Sequence, residues 1–118
     1  MKILLVDDSL TMRRIQKTQM NNLGISDIIE AGDGEEAFAK LQSNMPIDLI
    51  LLDWNMPVMD GITFLRKIRS DDTYKGVKVI MCTSESEKSR VVEALKSGAN
   101  NYIVKPFTPE ALKEKLGL

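Results

Sequence analysis

Side chains that could do chemistry together directly follow four of the five short apolar runs in this sequence. They are Asp7 and Asp8 after the first run, Asp53 after the third, Thr83 and Ser84 after the fourth, and Lys105 after the fifth. Three carboxylates brought together repel one another, and a hard divalent cation such as Mg²⁺ relieves that repulsion by taking oxygen ligands. With a hydroxyl and an ammonium beside them, such a group is equipped for phosphoryl transfer.

Asp53 is the best-placed candidate for the reacting group, since a carboxylate can attack phosphorus and become an aspartyl phosphate. It follows the central apolar run, and the loop after it can lend a backbone carbonyl to a metal. Each residue alone has an ordinary explanation, because Asp often forms turns, Thr and Ser often cap helices, and Lys is usually solvated. The coincidence of complementary groups at four run ends favours the functional interpretation.

Composition excludes several classes of protein. The 118 residues contain no histidine and one cysteine, Cys82, which rules out histidine-based catalysis, histidine metal sites and a disulfide framework. A net charge of −1, with basic residues scattered along the chain, favours neither nucleic acid nor a membrane surface as the main partner. The N-terminal apolar run is too short for a signal sequence, so we expect one cytoplasmic domain, residues 1–118.

Strand-like and helix-like segments alternate along the chain. The predicted strands are residues 2–6, 28–31, 48–52, 77–82 and 101–104. Ser9 is expected to cap a first helix that runs to Leu23, and residues 34–43 form the second. The third helix has an apolar face of Ile62, Leu65 and Ile68, the fourth ends at Gly98, and the fifth spans residues 109–116 with Thr108 as its cap. The first, third and fourth strands are almost continuously apolar, which indicates strands that are buried on both faces. In the fourth helix Val91, Val92 and Leu95 are expected to form the buried face. The alternation predicts an open α/β sheet with right-handed crossovers, whose strand ends share one edge.

Several motifs carry a resemblance that covers essentially the whole chain. They are Val6-Asp7-Asp8, Leu52-Asp53 with Met56-Pro57 and Asp60-Gly61, Thr83-Ser84, and Lys105-Pro106-Phe107. In these motifs the sequence resembles the response-regulator receiver domains of bacterial two-component signalling. The resemblance implies a flavodoxin-like, doubly wound sheet of five parallel strands in the order 2-1-3-4-5, with five helices. Within that family the chain is most similar to the chemotaxis regulators, through Thr11-Met12-Arg13-Arg14-Ile15, Trp54-Asn55, Tyr102 and Val104-Lys105.

The resemblance also implies roles for the acidic residues and the lysine. Asp53 would accept a phosphoryl group from the phosphohistidine of a sensor histidine kinase. Asp8, Asp53 and the backbone carbonyl of Asn55 would bind Mg²⁺ directly, whereas Asp7 would act through water. Lys105 would pair with the acyl phosphate, and the Lys105-Pro106 peptide bond would be cis.

Further residues are implied to pass the signal on. Thr83 would move to hydrogen-bond the phosphoryl group, and Tyr102 would swing inward into the space that this movement opens. Asn55 and Glu85 would flank the approach to the phosphoryl group and tune its hydrolysis. The protein would be a monomeric signalling switch rather than an enzyme, although it would catalyse its own phosphorylation and dephosphorylation. Its implied partners are the kinase, a phosphatase, and an output target such as a flagellar motor switch protein.

Three other interpretations remain open at the level of sequence. The chain could be a stand-alone phosphorelay shuttle, or a receiver from a DNA-binding response regulator. A flavodoxin-type electron carrier would need a Ser/Thr-rich phosphate loop where Asp7, Asp8 and Ser9 stand, and the two acids would repel a flavin phosphate. A small aspartyl-phosphate hydrolase usually carries an Asp two residues after its nucleophile, where this chain has Asn55.

Overall fold

A computed structural model describes the backbone of residues 1–84 and 88–118. Five strands and five helices alternate along the chain. The strands are β1 (Lys2–Val6), β2 (Asp27–Ala31), β3 (Leu49–Asp53), β4 (Lys78–Ser84) and β5 (Asn101–Lys105). The helices are α1 (Leu10–Asn22), α2 (Gly34–Asn44), α3 (Gly61–Arg69), α4 (Lys88–Lys96) and α5 (Pro109–Leu116). None of the helices in the described ranges is long and apolar enough to cross a membrane.

All four strand pairings in the sheet are parallel, and the strand order is β2-β1-β3-β4-β5. This order confirms the topology that the resemblance implied. The chain moves outward from β1 to β2 and then crosses back to β3 on the other side of β1, so the direction of winding reverses between β1 and β3. Ligands of open parallel sheets bind beyond the carboxyl ends of the strands at such a reversal.

The core has two layers, one on each face of the sheet. Leu4 and Leu5 are adjacent in β1, both are fully buried, and they belong to different layers because successive strand residues point to opposite faces. Helices α2, α3 and α4 cover the face of Leu4, and α1 and α5 cover the face of Leu5. Burial on both faces of the sheet explains why β1, β3 and β4 are almost continuously apolar.

Capping side chains fix where the helices begin. The hydroxyls of Ser9 and Thr108 accept hydrogen bonds from backbone N–H groups in the first turns of α1 and α5, at 3.2 and 3.1 Å. Both caps were expected from the sequence. Asp33 and Asp60 cap α2 and α3 in the same way. These four caps set the helix starts just beyond the sheet edge that carries the polar residues.

Two sequence predictions about the elements were wrong in detail. Strands β3, β4 and β5 run further than predicted, so Asp53, Thr83 and Lys105 lie within strands rather than after them. In α4 the predicted buried face was wrong, because the side chains of Val92 and Leu95 are 53% and 45% exposed. Ala94 is the residue of that helix that is fully buried. Successive helix residues are rotated by about 100°, so positions 92 and 95 share a side that turns away from Ala94.

Candidate functional site

Three carboxylates lie together at the sheet edge where the winding direction reverses. Asp7 directly follows β1 and is buried, Asp8 follows it and is exposed, and Asp53 is the buried last residue of β3. One carboxylate oxygen from each residue lies within 4.8 Å of those of the other two. The sequence prediction that the chain brings these acids together is therefore confirmed. Oxygen ligands at this spacing are what a hard divalent cation requires.

Lys105 neutralises part of this acidic group. It is the last residue of β5, and its Nζ atom lies 2.8 Å from Oδ2 of Asp7 and 3.0 Å from Oδ1 of Asp53. Burial lowers the pKa of Lys105, but the hydrogen bond to Asp7 and the charge of Asp53 outweigh that effect and raise the pKa overall. The ammonium therefore stays charged at neutral pH. The peptide bond from Lys105 to Pro106 is cis, as the resemblance implied, and so is Met45–Pro46.

The carboxylate of Asp53 is held through one of its two oxygens. Oδ1 accepts a hydrogen bond from the backbone N–H of Trp54 at 3.0 Å as well as the contact from Lys105. Burial raises the pKa of Asp53, and the nearby charge of Asp7 adds to the rise, although Lys105 and the Trp54 N–H oppose it. Within the described residues, Oδ2 accepts no hydrogen bond. That oxygen has a lone pair to offer.

The carboxylates of Asp7 and Asp8 differ in what they already contact. In Asp7, Oδ1 accepts a hydrogen bond from the backbone N–H of Ser9 at 2.9 Å, and Oδ2 accepts one from Lys105. In the part of the chain that the structure describes, Asp8 has neither a hydrogen bond nor an ion pair. Three carboxylates and one ammonium leave a formal charge of about −2, and this donor set fits a divalent cation such as Mg²⁺.

The hydroxyl of Thr83 is buried beside the site without a hydrogen-bond partner. The residue is 2% exposed and lies one position before the end of β4, next to Val104 of β5. Its Oγ1 atom has no partner among the described residues. A buried hydroxyl without a partner is unfavourable and is ready to donate to an incoming acceptor. Ser84, which follows it, is exposed, and Glu85 lies outside the described residues.

An arginine of α4 contacts the two residues that follow Asp53. Trp54 is only 6% exposed, and the Arg90 guanidinium lies 5.0 Å from its ring centre. The same guanidinium donates a hydrogen bond of 2.8 Å to Oδ1 of the exposed Asn55 side chain. Sequence reasoning missed Arg90, because nothing in a sequence pairs two residues that lie 35 positions apart.

Tyr102 lies further along the sheet, on β5. It is partly buried, pairs with Met81 of β4, and has the Nζ atom of Lys115 4.7 Å from its ring centre. The tyrosine is therefore on the strand that ends with Lys105 and next to the strand that carries Thr83. This arrangement brings Tyr102 into the same region as the site but not into contact with the carboxylates.

Comparison with known proteins decides the family. Residues 3–117 match the family described as the response regulator receiver domain. The chain belongs to this family. This receiver domain is 53% identical over 116 residues to the chemotaxis protein CheY1 of Helicobacter pylori. The aligned region covers 98% of this chain and 94% of the relative. It is 47% identical to the chemotaxis protein CheY of Pseudomonas aeruginosa, with 98% and 93% coverage.

Solved structures of other receivers share the fold. The structure of the chemotaxis regulator CheY4 from Vibrio cholerae matches with a TM-score of 0.88 at 37% identity, covering 98% of this chain and 95% of that one. A complex of CheX and CheY with BeF₃ and Mg²⁺ from Borrelia burgdorferi contains a chain that matches with a TM-score of 0.90 at 35% identity, with 98% and 85% coverage. Receiver domains are phosphorylation switches that bind Mg²⁺ at an acidic pocket, and this receiver is similar to the chemotaxis regulators of the CheY type.

Proposed function

We propose that residues 1–118 form one phospho-accepting switch in which Asp53 takes a phosphoryl group from the phosphohistidine of a sensor histidine kinase. One observation carries the proposal: the ammonium of Lys105 is shared between Asp7 and Asp53, at 2.8 and 3.0 Å. A cation held between a reacting carboxylate and a second carboxylate can move to a phosphoryl oxygen without leaving the site. Such fixed charges are how proteins stabilise phosphoryl transfer.

The transfer step uses the carboxylate of Asp53 as the nucleophile. A carboxylate oxygen donates an electron pair to phosphorus, the bond between phosphorus and the imidazole nitrogen breaks, and that nitrogen keeps the bonding pair. Lys105 pairs with the negative oxygens of the transferred group. The hydroxyl of Thr83, which has no partner in the described part of the protein, donates a hydrogen bond to one of them.

The residues that would hold Mg²⁺ are Asp8, Asp53 and the backbone carbonyl of Asn55, with Asp7 acting through water. Both oxygens of Asp7 already accept hydrogen bonds, whereas Asp8 has no contact among the described residues, and this difference supports the division of roles. When bound, Mg²⁺ supplies positive charge that offsets the carboxylates and the phosphoryl oxygens. The Borrelia burgdorferi complex, whose CheY chain was crystallised with BeF₃ and Mg²⁺, is further support.

The output of the proposed switch is binding to a target protein, most simply a flagellar motor switch protein in chemotaxis. The surface would be formed by α4, β5 and α5 around Tyr102, and the chemotaxis relatives support this choice. A phosphoryl group can shift the conformational equilibrium only by interacting differently with the two states. The hydroxyl of Thr83, which has no partner among the described residues, would provide such a difference by donating to the phosphoryl group when Asp53 is phosphorylated. A phosphatase is a further proposed partner.

The test of this function is chemical. A small acyl phosphate donor with Mg²⁺ should add one phosphoryl group per chain, and hydroxylamine should release it, as it does from acyl phosphates. Asp53→Asn should abolish labelling, because an amide is a far weaker nucleophile. Asp60→Asn is the matched control, since Asp60 caps α3 and should still allow labelling at Asp53. Stable labelling of a serine or threonine in the unmodified protein would contradict the proposal.

The partner is tested by capture from the source cell. The receiver would be immobilised with Mg²⁺, with and without beryllofluoride as a stand-in for the phosphoryl group. A motor switch protein retained only with beryllofluoride would support the chemotaxis target. Retention of a histidine phosphotransfer protein alone would favour a phosphorelay shuttle.

A further inference from the structure

One arginine of α4 contacts both residues that directly follow Asp53. The guanidinium of Arg90 donates a hydrogen bond of 2.8 Å to the side-chain oxygen of Asn55, and it lies 5.0 Å from the ring centre of Trp54. Trp54 in turn donates its backbone N–H to the carboxylate of Asp53. Arg90 is thus joined to Asp53 through two consecutive residues of the loop after β3.

The contacts of Arg90 restrict a loop that is otherwise open to solvent. Asn55, Pro57 and Val58 are exposed, yet Trp54 is only 6% exposed beneath the guanidinium. Arg90 occupies one of the two lone pairs of the Asn55 amide oxygen with a charge-assisted bond, and this bond fixes the direction in which the rest of the amide points.

We propose that Arg90 is a positioning residue that lengthens the phosphorylated lifetime of the receiver by holding the side chain of Asn55. The inference rests on the proposed function, in which Asn55 flanks the approach to the phosphoryl group. Arg90 fixes the amide in one orientation. This restraint limits how the amide can guide a water molecule to phosphorus.

Hydrolysis is the step that Arg90 slows. A water oxygen forms a bond to phosphorus, the bond between phosphorus and the Asp53 oxygen breaks, and the carboxylate keeps the electron pair. The proton of the water passes to the released phosphate or to solvent. An Asn55 amide that is released from Arg90 can accept a hydrogen bond from that water and orient it for attack, so loss of Arg90 accelerates this step.

A second arginine provides a matched control for the mechanical role of α4. Arg66 of α3 pairs with Glu93 of α4 at 2.8 Å, on the surface. Like Arg90, it ties α4 to a neighbouring element through one guanidinium, but none of its contacts involves the loop after Asp53. Arg66→Ala therefore measures how the loss of an ion pair between α3 and α4 changes the lifetime of the phosphoryl group, without a change at Asn55.

The experiment measures the rate of phosphoryl loss from labelled protein in Mg²⁺ after the donor is removed. The variants are Arg90→Ala, Arg90→Met, Arg66→Ala, Asn55→Ala and the double variant Arg90→Ala/Asn55→Ala. We expect Arg90→Ala and Arg90→Met to lose the phosphoryl group about threefold to tenfold faster than the unmodified protein, the effect of one lost hydrogen bond. Arg66→Ala should stay within about twofold of the unmodified rate.

Two further readouts separate positioning from general loosening. In the Asn55→Ala background, Arg90→Ala should have little additional effect, because the proposed route runs through the Asn55 amide. The fluorescence of Trp54, the single tryptophan of the chain, should shift to longer wavelength in Arg90→Ala and not in Arg66→Ala. Equal lifetimes for Arg90→Ala and Arg66→Ala would overturn the inference, and so would an undiminished effect of Arg90→Ala in the double variant.

Two measurements distinguish a failure of this inference from a failure of the proposed function: whether the phosphoryl group forms, and how long it lasts in Arg90→Met. If the unmodified protein forms no hydroxylamine-labile phosphoryl group, both are wrong. If it does, but Arg90→Met has the unmodified lifetime, only the inference is wrong, because methionine can cover Trp54 but cannot donate to Asn55.

Discussion

Gly61, the first residue of α3, packs against the backbone carbonyl of Asp53 so closely that a Cβ atom at position 61 would overlap the carbonyl oxygen. Its N–H also donates a 2.9 Å hydrogen bond to the carbonyl of Trp54. The start of α3 is therefore pressed against the strand end that carries the proposed phosphoryl acceptor. A side chain at position 61 therefore does not fit unless the backbone moves.

Gly61→Ala should destabilise the fold by about 1–3 kcal/mol, because the backbone of β3 or α3 must move to admit the methyl group. Chemical denaturation measures the change in the free energy of unfolding. Gly76→Ala is the control, since a Cβ at position 76 would meet nothing within 4 Å. We expect this control to be neutral or slightly stabilising. Equal stability of the two variants would show that the close approach of Gly61 is not needed.

Thr83→Val should stabilise the unphosphorylated protein by about 1 kcal/mol, because it replaces a buried hydroxyl that lacks a partner with a methyl group of similar shape. The same variant should lose the beryllofluoride-dependent gain in target binding. Thr83→Ser keeps the hydroxyl and should retain that gain, although the lost methyl group should lower stability by about 1 kcal/mol. Denaturant unfolding and target binding are the two measurements. A destabilised Thr83→Val protein would mean that the hydroxyl already has a partner in the resting state.

The stability contribution of Asp53 should depend on pH. Its pKa is raised by burial in the folded state, so the folded protein binds a proton more tightly than the unfolded chain does. Stability is therefore lost as pH rises from the unfolded pKa through the raised folded value. Asp53→Asn, which cannot ionise, should be more stable than the unmodified protein at neutral pH without Mg²⁺, and the difference should vanish in acid.

Thermal unfolding in metal-free buffer across pH 3 to 8, a range of about five units that brackets the carboxylate titration, measures this difference. Asp72→Asn is the control, because the Asp72 side chain is 93% exposed and should show no comparable trend. A difference between Asp53→Asn and the unmodified protein that grows toward low pH would contradict the sign of the shift.

Asp8→Ala should weaken Mg²⁺ binding by about tenfold or more, because it removes a ligand that no other contact replaces. Asp7→Ala should weaken it less but should cost more stability, since it deprives Lys105 and the Ser9 N–H of their acceptor. Titration of Trp54 fluorescence with Mg²⁺ measures the affinity, and Asp33→Ala, in a helix cap, is the control. Unchanged affinity in Asp8→Ala would refute the assignment of this metal ligand.

Val58→Asn should stabilise the protein by about 1 kcal/mol, because position 58 has a φ of 67°, a conformation that strains a β-branched residue and that Asn tolerates. The Val58 side chain is 76% exposed, so little burial is lost. Val92→Asn is the control: that valine is also exposed, but it lies in α4, where the two residues have similar helix propensities. A loss of stability in Val58→Asn would indicate that the loop needs the valine side chain.

Most of the fold could be predicted from the sequence because the relevant signals are local. Continuous apolar runs marked the buried strands, and Ser9 and Thr108 marked two helix starts. The side of α4 that faces the core could not be predicted, because a small residue, Ala94, is buried there while larger apolar residues remain exposed. Hydrophobicity alone predicts that Val92 and Leu95 are buried more deeply than Ala94, and the structure has the opposite order.

The site could be predicted as a set of residues but not as a set of contacts. The position of Asp7, Asp53 and Lys105 at strand ends was enough to bring them together, because parallel strands end at one edge. The contacts of the Lys105 ammonium with both Asp7 and Asp53 depend on distances of a few ångströms, and no sequence pattern records such distances. The Arg90 contact with Asn55 depends on how α4 packs across the sheet edge, so it too required the structure.

The bond between Lys105 and Asp7 joins residues that lie 98 positions apart, one at the end of the last strand of the sheet and the other directly after the first. During synthesis, the first three strands leave the ribosome with all three carboxylates before β5 and its ammonium are made. Among the described residues, Lys105 is the cation that pairs with Asp7 and Asp53, so their counter-charge arrives with the last strand of the sheet. The group proposed for phosphoryl transfer is therefore complete only once β5 has joined the sheet.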